Sequence, residues 1–112
     1  MITPQQVENR LYELSKEIDE CHEDLVVVEN DYHTTKAKYE IAMARSRISF
    51  AEAKLTAQGR EDIALLENQS LHLDLAGIEA RVKSTRALAN KLRTQADIAR
   101  TISVSVRTEM NG

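Results

Sequence analysis

The residues best suited to chemistry are few, and their spacing works against it. Cys21-His22, His33 and His72 are the only soft metal ligands in the chain. A helix turns about 100° per residue, so adjacent Cys21 and His22 point apart. No His or Cys stands four residues from another, and there is no Cys-x-x-Cys, the spacings a zinc site uses. Cys21 therefore reads as a small core residue. The 18 acidic residues fall at solvent-facing helix positions, where nothing moves a carboxylate toward a catalytic pKa. Gly59 is the only glycine between Met1 and Ala76, so no glycine-rich phosphate loop exists. No catalytic residue, metal site or cofactor is expected, and the chain reads as non-enzymatic.

The basic residues offer a different chemistry. Arg81, Lys83, Arg86, Lys91, Arg93, Arg100 and Arg107 face only Asp97 between residues 80 and 107, a net of +6. Such a stripe can follow a phosphate backbone. Residues 1–31 are its electrostatic opposite, with nine acids against Arg10 and Lys16, a net of −7. If the acidic arm neutralises the basic one, little field is left for nucleic acid. No aromatic residue lies near the stripe to stack on bases. No segment combines a bulky apolar face with a Lys/Arg-rich opposite face, as a membrane-surface helix would.

These side chains must be carried by helices. The chain has no tryptophan, one phenylalanine, one proline and three glycines, which leaves all-β architecture without its aromatic runs and turns. Thr3-Pro4-Gln5-Gln6 has the spacing of a capping box with proline at the first helical position. Val7, Leu11, Leu14, Ile18, Cys21, Leu25 and Val28 then recur in alternating steps of four and three. Tyr32, Thr35, Tyr39 and Ala42 continue this heptad seam less apolarly. Asn30 to Thr35 favour helix poorly and form its weakest stretch. A second row, Ile41, Ala44, Ile48, Ala51 and Leu55, makes the later part apolar over much of its circumference.

Gly59 is the expected hinge. Glycine tolerates the backbone that ends a helix, and Glu61-Asp62 would put negative charge in the first turn of the next. Beyond it Leu71, Leu75, Ile78, Val82, Thr85, Ala89, Leu92, Ala96 and Ala99 repeat the four-three rhythm. Gly77 either weakens this helix by about 1 kcal/mol or permits a close crossing. Thr101 to Arg107 alternate with period two and are expected to fray or pair as a short strand. The sequence thus predicts one all-α domain over 1–112. It is a long antiparallel helical hairpin of coiled-coil type, with helix over 4–57, a turn over 58–60, helix over 61–104 and a frayed tail over 105–112.

Reversal at Gly59 would set Arg86, Arg93 and Arg100 opposite Asp31, Asp24 and Glu17, and Arg10 opposite Arg107. Flanking charges of this kind fix register, although each exposed pair contributes only about 0–1 kcal/mol. The second row would remain wet. Such patches mark interfaces, so a homodimer is expected, a four-helix bundle burying Ile41, Ala44, Ile48, Ala51 and Leu55.

Tyr39-Glu40-Ile41-Ala42-Met43-Ala44-Arg45, Gly59-Arg60-Glu61 and Ser103-Val104-Ser105-Val106-Arg107 resemble a loose group of small phage-encoded helical proteins. The resemblance implies an accessory factor in phage DNA replication or recombination, and carries no catalytic residue to this chain. One cysteine, no leader pattern and no apolar run of about 18 residues point to a cytoplasmic protein, the host cytoplasm if phage-encoded. Two functions stay open. One is a self-associating protein that binds another protein. The alternative is an accessory nucleic-acid-binding protein acting through Arg81, Lys83, Arg86, Arg93, Arg100 and Arg107.

Overall fold

A computed structural model describes residues 2–111 of the chain as three helices, α1 (Pro4–Ser49), α2 (Ala57–Glu67) and α3 (Gln69–Asn111). Among the described residues there is no strand. The start of α1 follows the expected capping box. Gln6 N–H donates to Thr3 Oγ1 at 3.2 Å and Thr3 N–H to Gln6 Oε1 at 2.9 Å, which satisfies donors that a helix start leaves open. The weak stretch 30–35 is helical without interruption.

Contacts divide the chain into one unit of Met1–Val26 with Lys83–Gly112 and another of Val27–Val82. In the first unit the early part of α1 lies antiparallel to the later part of α3, since Arg10 reaches Gln95 while Cys21 reaches Thr85. Its core is Leu14, Cys21, Ala89, Leu92, Ala96 and Ala99, with Leu11 and Ile18 packed against it. Large residues on α1 meet mostly alanines on α3, so the two helices can approach closely without leaving voids. Leu14 is 1% exposed and is the most deeply enclosed large side chain. These are the seam positions read from the sequence, and Ser103 extends them, also buried.

In the second unit α1 turns back through residues 50–56 onto α2 and the start of α3. Val28, Met43, Ala64 and Val82 are buried there. Tyr39 meets the His72 ring at 5.6 Å between centroids, and Met43 Sδ lies 3.7 Å from Asn68 Nδ2.

The turn corrects the expected reversal at Gly59. α1 stops at Ser49, eight residues before the expected end at 57. Its last regular bond is Phe50 N–H to Ser46 O. Tighter bonds follow, Ala51 N–H to Ile48 O and Ala53 N–H to Phe50 O. Residues 51–55 are good helix formers, so propensity alone would carry the helix on. Tertiary pairing and a new cap override it. Thr56 is that cap: its Oγ1 accepts from Gly59 N–H at 3.0 Å. Gly59 therefore lies in the first turn of α2 and not at a hinge. No glycine among the described residues has positive φ. What Gly59 supplies is room, because a Cβ there would sit 3.2 Å from Thr56 Oγ1.

The expected second helix over 61–104 is interrupted and longer. Asn68 ends α2 and α3 begins at the next residue. The tail expected to fray over 105–112 is helical through Asn111, and Gly112 lies outside the described residues. Its hydroxyls bond back along the helix, as Thr108 Oγ1 does to Val104 O at 2.9 Å, while Arg107 Nη2 donates to Ser103 Oγ at 2.9 Å. The period-two pattern is thus overridden by continuation of the seam through Ser103 and Val106.

Candidate functional site

Gly77, in the second unit, has open space where a Cβ would stand, so no close crossing explains it. The residues that do organise this unit sit near the turn. Ser46, buried on α1, donates from Oγ to Glu67 Oε2 at 2.7 Å and accepts from Asn68 Nδ2 at 2.9 Å. The same Asn68 amide donates to Ala64 O at 2.8 Å and so closes the end of α2. Among the described residues no buried side-chain polar atom is left without a partner. The next residue of α1, Arg47, embraces the Glu61 carboxylate through two nitrogens, with Nη2 at 3.1 Å. That hydrogen bond first, and the carboxylate's charge second, raise the Arg47 pKa above its ordinary value. Neither grouping was anticipated from sequence. The available signals were a lone asparagine among helix formers at 68 and the Thr56-x-x-Gly59 start of a helix.

The row expected to form an interface is exposed. Ile41 is 53% and Ile48 76% accessible, and Ala44, Ala51 and Leu55 are exposed with them. Ile41, Ala44 and Ile48 share the outer side of α1, about half a turn round from Tyr39 and Ser46. Ala51 and Leu55 belong to the turn, so the helical stripe ends at Ile48. α2 and α3 add exposed Leu66 and Leu73.

The charge pairs across the hairpin are corrected in the first unit. Arg93 meets His22 Nε2 at 2.9 Å instead of Asp24. Arg100 turns to Asp97 in its own helix at 2.9 Å, and Glu17 is reached by Arg10 at 3.7 Å. Arg10 bonds Gln95, where Arg107 was expected. Contacts on the two sides of the seam, Arg10 with Gln95 and His22 with Arg93, centre the pairing about one heptad earlier along α3 than a reversal at Gly59 would. There is a second reason. Glu17, Glu20 and Asp24 line one side of the seam together with Leu88 and Leu92. His22 is about 200° round α1 from Asp24, so Arg93 and, one heptad on, Arg100 and Arg107 occupy the other side. Lys83 is exposed, and Arg81 and Arg86 are engaged with other groups of the protein.

The soft ligands are scattered. Cys21 is buried, with its thiol 3.5 Å from Thr85 O. His22 lies against Arg93, His33 edge-on to Tyr32, and His72 against Tyr39. Among the described residues no group of three or more His, Cys, Asp or Glu could hold a metal ion, and no helix is long and apolar enough to cross a membrane.

Together these features define a class: an all-helical protein built on antiparallel helix pairing, with apolar rows and separated charges left on its surface. The chain matches no family model, no curated protein and no solved structure.

Proposed function

We propose that this chain is a non-enzymatic helical interaction protein, a coiled-coil hairpin that pairs with a second copy into a four-helix bundle and binds another protein. The observation that carries this reading is the exposure of Ile41 and Ile48 on the outer side of α1. The seam of α1 is already used within the chain, so a second apolar row needs a second partner. Full burial of an exposed isoleucine contributes about 1.5–3 kcal/mol, and Ile41 and Ile48 would gain the share that their remaining exposure leaves. A host-cytoplasmic accessory role, as the phage resemblance implies, fits such a module.

The test is the mass of the Ile48→Glu variant by sedimentation or light scattering. At high salt, where exposed charge pairs are screened, a charge at Ile48 should lower the mass to that of a single chain. An unchanged mass would remove this row from the interface.

Nucleic-acid binding stays as a second reading because one observation favours it. Arg93, Arg100 and Arg107 stand on the side of the seam away from Glu17, Glu20 and Asp24, so those acids do not neutralise them. Titration of duplex and single-stranded DNA at several salt concentrations decides between the readings. Interaction through protein alone predicts no binding tighter than about 10⁻⁵ M.

A further inference from the structure

The sequence holds a charge match that the fold does not use. Glu17 and Asp24 are one heptad apart on α1, and Arg93, Arg100 and Arg107 one heptad apart on α3. In the first unit the two sets lie on opposite sides of the antiparallel pair. Contacts settle the sides. Glu17, Glu20 and Asp24 share a groove with Leu88 and Leu92, while Arg93 contacts His22. The intramolecular partners of these groups are few: the exposed Arg10 for Glu17 and Asp97 for Arg100, and the buried Ser103 for Arg107. Leu88, at 47% exposure, leaves apolar surface beside the acids.

We infer that the acidic side of this unit receives the arginine side of a second copy. The match is geometric as well as electrostatic. Both sets repeat every seven residues along a helix, about 10.5 Å, so one copy laid alongside another brings Arg93 and Arg100 into step with acids at Glu17 and Asp24. A flexible or irregular polyanion has no such matched repeat. Because donor and acceptor surfaces lie on opposite sides, a two-fold axis cannot relate them. The contact is heterologous, and it propagates from copy to copy instead of closing at two. Arg10 offsets the acidic side through Glu17, and Asp97 offsets the arginine side through Arg100, which keeps the contact weak and dependent on ionic strength. This inference rests on the self-association proposed above and adds a contact distinct from the Ile41–Ile48 row.

The experiment is sedimentation velocity on the full chain across protein concentration and salt. Weight-average mass should rise with concentration at low salt and fall about twofold or more when salt shortens the screening length to a few ångströms. Arg93→Glu with Arg100→Glu makes both sides acidic, and Glu17→Lys with Asp24→Lys makes both basic. Each variant alone should lose the salt-sensitive species, a mixture of the two should regain it, and a chain carrying all four changes should regain it by itself. Circular dichroism reports whether each variant keeps its helices; where one does not, Arg93→Gln with Arg100→Gln and Glu17→Gln with Asp24→Gln should abolish association without charge reversal. Ile48→Glu should leave the salt-sensitive step in place. A dimer mass unchanged by salt would overturn this contact while leaving the Ile48 interface standing. Helical variants that fail to associate when mixed would also overturn it, as would a wild type that binds duplex DNA through Arg93 and Arg100 with no change of its own mass.

Discussion

The Asn68 amide donates to Ser46 Oγ at 2.9 Å, tying the residue that interrupts the second arm to a buried hydroxyl on α1. Ser46 in turn donates to Glu67, and Asn68 also bonds Ala64 O. A polar pair inside an otherwise apolar seam is satisfied in only one alignment, so it fixes register at some cost in stability. Ser46→Ala leaves the Asn68 amide short of one acceptor and should destabilise by about 1–2 kcal/mol in urea unfolding. Ser46→Ala combined with Asn68→Leu should recover much of that loss while broadening the side-chain NMR signals of the second unit. A double variant as unstable as the sum of both single variants would show that the two residues act separately.

Thr56 begins α2 by accepting from Gly59 N–H. Thr56→Ala should cost about 1 kcal/mol, and Thr56→Asp should cost less than that, as expected of a side-chain cap. Thermal melts followed at 222 nm can rank the three proteins.

Gly77 lies within α3 with no atom near the place of a missing Cβ. Gly77→Ala should therefore stabilise by up to about 1 kcal/mol, through helix propensity and a less flexible unfolded chain. A loss of stability would reveal a partner packed on this face.

Arg47 is held above its ordinary pKa by Glu61. The sign follows from linkage. A raised pKa contributes stability that is complete below the unfolded value and is lost only as pH climbs past the folded one. That window lies in strong alkali, so the difference in melting temperature between wild type and Arg47→Gln should stay constant over about pH 6–9. A difference that drifts across this range would assign control to another group.

Glu8 and Arg107 both belong to the first unit, near the two ends of the chain. Spin labels at these positions should report a separation within about 20 Å if α1 and α3 pair antiparallel in solution. One continuous helix of about 100 residues would instead separate them by roughly 150 Å.

The helices and their seam are legible in the residue pattern. Val7, Leu14, Cys21 and Val28 are buried on α1, as are Val82, Ala89, Leu92, Ala96 and Ala99 on α3, because a heptad pattern is a local property that any pairing must respect. Tertiary structure alone decided the partners. A slip of one heptad keeps every seam residue in the seam, so the pattern cannot choose between registers. The choice fell to Ser46 with Asn68 and to the turn at 50–56, where strong helix formers conceal the break and Gly59 misdirects it. Charges misled for a related reason. Glu17 and Asp24 repeat in step with Arg100 and Arg93, yet which side of a helix pair each set occupies depends on the contacts of both helices, and here the acids fall beside Leu88 and the arginines beside His22.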